Sequence, residues 1–347
     1  MAKNKPGNNN LHISKAGKQD EFYTQLSMIE NELKYYKNHF EGKTVFCNCD
    51  DPYESNFFKF FAMRFNFLKL KKLIASCYDR STIAQTQLSL FEENKPPQER
   101  TPYFAKMIEL EDFNCDGATD LSDVEWLLKN KKDAVKKLKG SGDFRSPECI
   151  EMLKQADIVV TNPPFSLFRE YVAQLMEYEK KFLILGNINN ITYNEITPLY
   201  REGRIWLGRT SGHFWFRVPD NYEAKATDFK IDEDGVKWRR MGNICWFTNL
   251  DYKERYEDIH LWRKYNSVDY PKYENIDAIH VKECNDIPCD YNGLMGVPIT
   301  FCTKHNPNQF EYLGLDKENT PQRERFKLKQ EDGQIKTQYA RILIRRK

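Results

Sequence analysis

The sequence has no run of about 20 apolar residues, the length that an α-helix needs to cross a bilayer. Its opening segment, Met1–Gly17, is polar and lacks the apolar centre of a secretory signal peptide. Nine cysteines are present, an odd number, and none of their spacings is that of a zinc site. These absences predict a cytoplasmic protein with reduced thiols and with no bound metal or membrane partner.

The sequence also lacks a large excess of positive or negative charge. The 53 Lys and Arg residues nearly balance the 51 Asp and Glu residues, which gives a formal net charge of +2. Composition alone therefore does not predict nucleic-acid binding, which would depend on local basic patches. With 347 residues the chain can bury a full core, in one large domain or in two smaller ones.

The clearest local pattern is the segment Asp157–Phe165, in which a short apolar run stops at two prolines. The run Ile158–Thr161 is typical of a buried strand. Pro163 and Pro164 cannot donate to a sheet ladder, and the residue before a proline is held extended. Asn162 should therefore end the strand, at the sheet edge where ligands bind in open α/β folds.

That position suits an amine attached to a flat ring. The Asn162 side-chain oxygen and the Pro163 carbonyl can each accept one amine hydrogen, and Phe165 can stack on the ring. The alternative interpretation is structural, a strand terminator with a turn Asn and a core Phe. We favour the functional interpretation because an apolar strand preceded by Asp157 stands directly before the motif.

The stretch Asp157–Tyr171, with the sequence DIVVTNPPFSLFREY, resembles the catalytic motif of S-adenosylmethionine-dependent adenine-N6 DNA methyltransferases. More narrowly it is similar to the EcoRI-type family, and further matching stretches extend from about Asp20 to Gly314. The resemblance implies an α/β fold with a doubly wound, mostly parallel, Rossmann-like sheet and a C-terminal α+β target-recognition portion. It also implies methyl transfer to the N6 amine of an adenine flipped out of a specific duplex DNA sequence, within restriction-modification. The implied catalytic residues are Asn162, Pro163, Pro164 and Phe165.

The resemblance further implies a site for S-adenosylmethionine at the same sheet edge. The turn after the first predicted strand contains no glycine, which excludes a dinucleotide or P-loop fingerprint. It is similar instead to the variant turn of the EcoRI-type family, Asp-Pro-x-x-Ser-Asn-Phe. By themselves these residues are typical of a capped helix start. The residues implied to bind the cofactor are Phe22, Tyr23, Thr24, Asp51, Pro52, Ser55, Asn56, Phe57, Asp79, Asp143, Phe144 and Asn162.

Pattern and capping signals predict the elements around these motifs. Strands are expected at Thr44–Cys49 and Lys72–Asp79, and a helix that begins at Ser146–Pro147 should lead into the central strand. The capping-box spacing from Ser122 predicts a basic helix that extends to Lys139.

The organisation along the chain follows from shifts in composition. We expect a mobile basic arm at 1–19, a catalytic domain at 20–200 with an insertion at about 83–140, and a DNA target-recognition region at 201–347 packed on the catalytic domain. Five of the six tryptophans lie beyond residue 200 and interleave with arginines, which supply phosphate and guanine contacts. The alternative is an α+β core with arginines whose stems cover apolar surface. The candidate DNA-binding residues are Arg209, Arg217, Arg239 and Arg240.

A proline-rich polar stretch carries a second recognisable segment, Gln87, Leu88, Ser89, Leu90 and Phe91. It resembles the pentapeptide by which bacterial proteins dock on the replication sliding clamp, and short apolar peptides on loops are a common docking mode. The alternative is a loop that folds back to bury its own apolar side chains.

Three other functions stay open on the sequence alone. The first is methyl transfer to RNA or to protein glutamine, which similar Asn-Pro-Pro-aromatic motifs also serve. The second is a catalytically silent methyltransferase-like module that binds DNA, which the glycine-free turn mildly favours. The third is an accessory factor of the sliding clamp, which would depend on Gln87–Phe91.

Overall fold

A computed structural model describes residues 24–49, 51–52, 55–77, 102–131, 133–218, 228–330 and 332–347. Predictions for Phe22, Tyr23, Asp79 and the segment Gln87–Phe91 concern residues outside these ranges. The chain divides into two compact units, one formed by residues 1–186 and 212–244 and the other by 187–211 and 245–347. None of the helices in the described ranges is long and apolar enough to cross a membrane.

Seven helices and fifteen strands are present in the described ranges. In chain order the helices are α1 (Leu26–Leu33), α2 (Asn56–Met63), α3 (Leu121–Asn130), α4 (Pro147–Gln155), α5 (Phe168–Glu177), α6 (Thr197–Arg201) and α7 (Asp316–Asn319). The strands are β1 (Thr44–Asn48), β2 (Lys72–Ser76), β3 (Tyr103–Met107), β4 (Val135–Lys137), β5 (Ile158–Thr161), β6 (Lys181–Asn187), β7 (Trp206–Arg217), β8 (Phe229–Ile231), β9 (Lys237–Thr248), β10 (Ile279–His280), β11 (Met295–Pro298), β12 (Phe310–Leu315), β13 (Lys327–Lys329), β14 (Ile335–Thr337) and β15 (Arg341–Arg346).

The first unit is built on a sheet in which six strands follow the order β4-β3-β2-β1-β5-β6. The four strands β2, β1, β5 and β6 are parallel, and β3 and β4 add an antiparallel edge. Every residue of β1 and β5 is buried, as expected for strands covered on both faces. The prediction of a mixed α/β fold with a large, mostly parallel central sheet is confirmed.

The helix predicted from Ser122 to Lys139 is present, but its predicted end is wrong. The helix α3 begins after Asp120, whose side chain accepts from the Ser122 N–H, and it ends at Asn130. Residues 135–137 instead form β4 and pair with β3, so that Lys137 lies opposite Tyr103. Pairing with a distant strand has overridden the local helical pattern, which is the usual limit of propensity arguments.

The second unit is an α+β structure with its own core. Its four-stranded sheet has the order β10-β11-β15-β12, and β13 and β14 form a separate antiparallel hairpin. The core includes the buried Trp246 and Phe247 and a cluster of Tyr273, Ala278, Phe326, Leu328 and Leu343. Residues 206–211 of β7 and 245–248 of β9 belong to this unit, and the remaining residues of both strands belong to the first.

Candidate active site

The carboxyl ends of β1, β2 and β5 are joined by one buried residue, Asn48. Its Oδ1 accepts hydrogen bonds from the Cys49 N–H at 3.0 Å and from the Ser76 hydroxyl at 3.1 Å. Its backbone carbonyl accepts from the Thr161 hydroxyl, and Thr161 is fully buried. Asn162 follows Thr161 directly. The hydrogen bonds of Asn48 therefore fix the position of Asn162 relative to the ends of β1 and β2.

The turn after β1 contains a left-handed backbone conformation although it has no glycine. Cys49 adopts the left-handed conformation, with φ of 65°, a region that non-glycine residues enter at a cost of about 1–2 kcal/mol. Asp51 and Pro52 are buried, and Ser55 caps the start of α2, because its hydroxyl accepts from the N–H groups of Phe57 and Phe58. The predicted interpretations as a helix cap and as part of a site are therefore compatible.

Two predicted cofactor segments meet at this turn. The Asn56 amide donates to the Thr24 carbonyl at 2.7 Å, which joins the segment before α1 to the start of α2. Thr24 is 5% exposed, and in the described part of the chain no group hydrogen-bonds to its hydroxyl oxygen. Buried polar atoms normally have partners, so a hydroxyl in this state is a site where a ligand could bind. Phe57, which the resemblance also implied for this site, is 1% exposed and belongs to the core.

The loop before α4 packs on the end of β2. Gly142 has φ of +73°, and a Cβ placed there would stand 2.1 Å from the backbone oxygen of Cys77. Only glycine fits this approach. The Gly142 carbonyl also accepts from the buried Cys149 thiol. The loop thereby carries Asp143 and Phe144 to the same sheet edge.

Asp143 is held by the guanidinium of Arg145, which donates to its Oδ1 at 2.9 Å and to its Oδ2 at 2.8 Å. This hydrogen bonding lowers the pKa of Asp143 below its ordinary value. Arg145 also reaches Glu170 at 2.8 Å. Phe144 is buried and meets Tyr171 edge to face, with ring centroids 5.0 Å apart. Asp143 is thus a fixed carboxylate on a rigid loop.

The segment Asn162–Phe165 leaves the sheet as a stiff turn. Pro163 is buried, and Asn162, Pro164 and Phe165 are half-buried. Phe165 opens a short 3₁₀ turn, stabilised by a hydrogen bond from the Leu167 N–H to the Pro164 carbonyl at 3.0 Å, and α5 follows at once. The start of β5 is equally fixed, because the Asp157 carboxylate accepts from the Thr44 N–H at 2.7 Å.

One residue that the sequence did not indicate joins this site. The Tyr103 hydroxyl donates to Asp51 Oδ1 at 2.7 Å. Tyr103 lies at the start of the antiparallel β3, far from any motif, and its partner is 52 positions away. No local pattern signals such a contact, and Asn48 and Ser76 were missed for the same reason.

The loop that precedes α3 has the spacing Asp-x-Asn-x-Asp-Gly at 112–117, as in a calcium loop. Its carboxylates accept from the backbone: Asp112 from the N–H groups of Asp116 and Gly117, and Asp116 from that of Ala118. Across the described ranges, no group of three or more His, Cys, Asp or Glu side chains could hold a metal ion. The backbone hydrogen bonds to Asp112 and Asp116 hold the turns of this loop.

The four candidate DNA-binding arginines do not share one unit. Arg209 belongs to the second unit and pairs with Glu257 at 3.0 Å. Arg217, Arg239 and Arg240 belong to the first unit. Arg217 and Arg240 are exposed, whereas Arg239 is half-buried and burial lowers its pKa.

Comparison with known proteins gives a consistent result over nearly the whole chain. A model of the family described as "Adenine-specific methyltransferase EcoRI" matches residues 10–347. The Type II methyltransferase M.EcoRI of Escherichia coli is 48% identical over 328 residues, which cover 91% of this chain and 92% of that protein. The Type II methyltransferase M.MpnI of Mycoplasma pneumoniae is 37% identical over 86% of this chain and 83% of its own length. One from Mycoplasma genitalium is 38% identical, over 86% and 84%. No solved structure matches.

Proposed function

The chain belongs to the EcoRI family of adenine-specific methyltransferases, and from this premise we propose that it transfers a methyl group from S-adenosylmethionine to the N6 amine of adenine in a specific duplex DNA sequence. The observation that carries the proposal is the position of Asn162. It follows β5 at the carboxyl edge of a parallel sheet, bounded by the fixed turn at Asp51 and by the loop at Asp143.

The residues at this edge fit S-adenosylmethionine. The buried Thr24 hydroxyl, to which no described group hydrogen-bonds, and the buried Asp51 carboxylate suit its polar amino-acid end. Asp143 suits a hydroxyl or an amine, because a carboxylate offers about four acceptor positions and Arg145 fills only part of them. When bound, the cofactor supplies an electrophilic methyl group on a sulfonium that is a good leaving group.

The chain's own residues would orient the amine that receives the methyl group. Asn162 and the Pro163 carbonyl each accept one N–H of the adenine amine, which directs the nitrogen lone pair away from both. Phe165 stacks on the ring. Positioning of the two reacting groups supplies most of the acceleration, so no charged base is required before the transfer. The N–CH3 bond forms as the CH3–S bond breaks, and the proton that the methylated amine then loses passes to water.

The target base must leave the DNA stack to reach this edge. A base inside a duplex cannot approach a half-buried side chain such as Asn162, and extruding it costs a few kcal/mol of unstacking. Among the four predicted arginines, Arg217 and Arg240 of the first unit and Arg209 of the second are the proposed sources of compensating contacts to DNA. Residues 201–347 are the proposed target-recognition region.

A basic ribbon in the first unit supplies the most specific candidate surface for DNA. We define the ribbon as residues 212–218, 228–231 and 237–244. The Val218 N–H donates to the Lys237 carbonyl at 3.0 Å, and a Cβ on Gly242 would stand 2.8 Å from the His213 ring. Both contacts fit one antiparallel register. The ribbon therefore consists of the paired strands β7 and β9, with the short β8 on the other side of β9. A two-stranded pair such as β7–β9 fits the major groove.

The register divides the ribbon's side chains between two faces. Lys230 lies opposite Trp238 in the β8–β9 ladder, and Phe229 lies opposite Arg239. Extending the β7–β9 register puts Arg217 and Arg240 on the same face as Trp238 and Lys230. That face carries three exposed cations beside the half-buried Trp215 and Trp238, with the Lys230 ammonium 4.7 Å from the Trp215 ring. Arg239 falls on the opposite face.

The assignment of side chains to two faces can be tested by comparing the DNA affinity of variants on each face. Replacing Arg217, Lys230 or Arg240 by Ala should weaken duplex binding and lower the slope of log K against log salt by about 1 each. Arg239→Ala should leave the slope closer to that of the wild type. Equal slopes for all four variants would contradict an assignment of DNA to one face.

One labelling experiment distinguishes DNA, RNA and protein as methyl acceptors. Label from S-adenosylmethionine should enter duplex DNA and be recovered as N6-methyladenine after digestion to nucleosides. Recovery of the label only in RNA or in protein glutamine would overturn the proposed substrate. Tight cofactor binding without any transfer would favour a silent DNA-binding module. Clamp docking through Gln87–Phe91 stays a prediction from sequence alone.

A further inference from the structure

We infer that Tyr103 is a positioning residue for the cofactor, acting through Asp51. The inference rests on the proposed function, because it deepens the cofactor site at the glycine-free turn. Its basis is the hydrogen bond from the Tyr103 hydroxyl to Asp51 Oδ1 at 2.7 Å.

The backbone around Tyr103 fixes where the phenol can reach. Tyr103 opens β3, which runs antiparallel to β2, and its carbonyl accepts from the Cys77 N–H at 3.1 Å, one residue beyond the end of β2. The residue before it, Pro102, lies under the Gly142 loop, with its Cβ 3.2 Å from where a Cβ on Gly142 would stand. Tyr103 is therefore placed between the Asp51 turn and the Asp143 loop.

A tyrosine and an arginine would affect the charge of the Asp51 site differently. Asp51 is 6% exposed, and a buried carboxylate needs hydrogen-bond donors. A guanidinium would satisfy it but would also neutralise it, as Arg145 does for Asp143. Tyrosine donates one hydrogen bond and carries no charge, so the Tyr103 contact orients Asp51 without adding a positive charge beside it. A carboxylate that is not neutralised by its donor suits recognition of the cofactor's ammonium group.

The orientation of the Asp51 side chain should affect cofactor binding, because Asp51 lies in the turn at the cofactor site. Its carbonyl accepts from the Ser55 N–H at 2.7 Å, so its backbone is fixed by the start of α2. The Tyr103 hydrogen bond restrains rotation of the Asp51 side chain before the cofactor arrives, which lowers the cost of binding.

A double-mutant cycle on cofactor affinity tests the inference. Calorimetric titration with S-adenosylmethionine would compare the wild type, Tyr103→Phe, Asp51→Asn and the double variant. We expect Tyr103→Phe to bind about tenfold more weakly, as for a lost hydrogen bond to a charged group. In the Asp51→Asn background the same change should have no further effect, since the partner charge is already gone.

Kinetics supply a readout that a merely structural role would not produce. Tyr103→Phe should raise the KM for S-adenosylmethionine and leave the KM for DNA and the kcat at saturating cofactor unchanged. Tyr339→Phe is the matched control, because Tyr339 is 93% exposed and the change removes the same atom. It should behave as the wild type.

The outcomes separate the inference from the proposed function. A wild-type protein that does not bind S-adenosylmethionine would overturn the proposed function itself. Wild-type affinity in Tyr103→Phe, or a loss that adds fully to that of Asp51→Asn, would overturn the role of Tyr103 and leave the proposed function intact.

Discussion

Replacing Gly142 with Ala should destabilise the first unit and disturb the Asp143 loop, for two reasons that can be separated. The first is conformational, because φ of +73° is a region that an L-residue enters at a cost of about 1 kcal/mol. The second is steric, because the new Cβ would stand 2.1 Å from the Cys77 backbone oxygen. That neighbour is a backbone carbonyl directly after β2, so the loop must move instead.

Gly42 supplies the control for the conformational part. It lies in the same unit, it has φ of +69°, and a Cβ on it would meet nothing within 4 Å. Gly42→Ala should therefore cost only about 1 kcal/mol of unfolding free energy. Gly142→Ala should cost about 1–3 kcal/mol more, the range for overpacking in a tight site.

Urea denaturation of the two variants measures the difference directly. Calorimetric titration with S-adenosylmethionine adds a second readout, because only the Gly142 change should displace Asp143 and weaken binding. Equal losses of stability in the two variants, with equal cofactor affinities, would refute the packing of this loop on the end of β2.

Two further perturbations have clear signs. Asp123→Ala should lower the unfolding free energy by about 2–4 kcal/mol in chemical denaturation. The reason is that the fully buried carboxylate accepts from the N–H groups of Phe113, Asn114 and Asp120. Asp133→Ala is the control and should change the free energy little, because the Asp133 side chain is 89% exposed. Burial lowers the pKa of His305 from 6.5 to about 4, so the stability it contributes is full above pH 6.5 and is lost as the pH falls towards 4. Between pH 7 and pH 5 the wild type should lose about 2 kcal/mol more than His305→Asn; equal losses would contradict the assignment.

The sequence predicted the features of the fold that depend on neighbouring residues. Ile158–Thr161 is the predicted strand, and α4 begins after Ser146 with proline in its first turn. These features are local: β-branched apolar runs, a capping side chain, and prolines that cannot continue a sheet. The same reasoning failed at residues 135–139, where pairing with β3 outweighs the helical pattern.

The candidate site was predicted as a set of segments, and the links between them were not. Asn56 meets Thr24 across 32 positions, and Thr161 meets Asn48 across 113. Tyr103 had no motif around it. Contacts of this length depend on strand order, which a motif does not contain. The roles of the predicted residues towards cofactor and DNA remain predictions.

The central claim, that Asn162 directs adenine methylation at this sheet edge, is tested most directly by Asn162→Ala. Transfer of labelled methyl from S-adenosylmethionine to unmethylated duplex DNA would be measured beside calorimetric cofactor binding for both proteins. The account predicts a loss of transfer of at least about 100-fold, as when a positioned polar group is removed from an active site, with cofactor affinity largely kept. A variant that methylates adenine at the wild-type rate would contradict it.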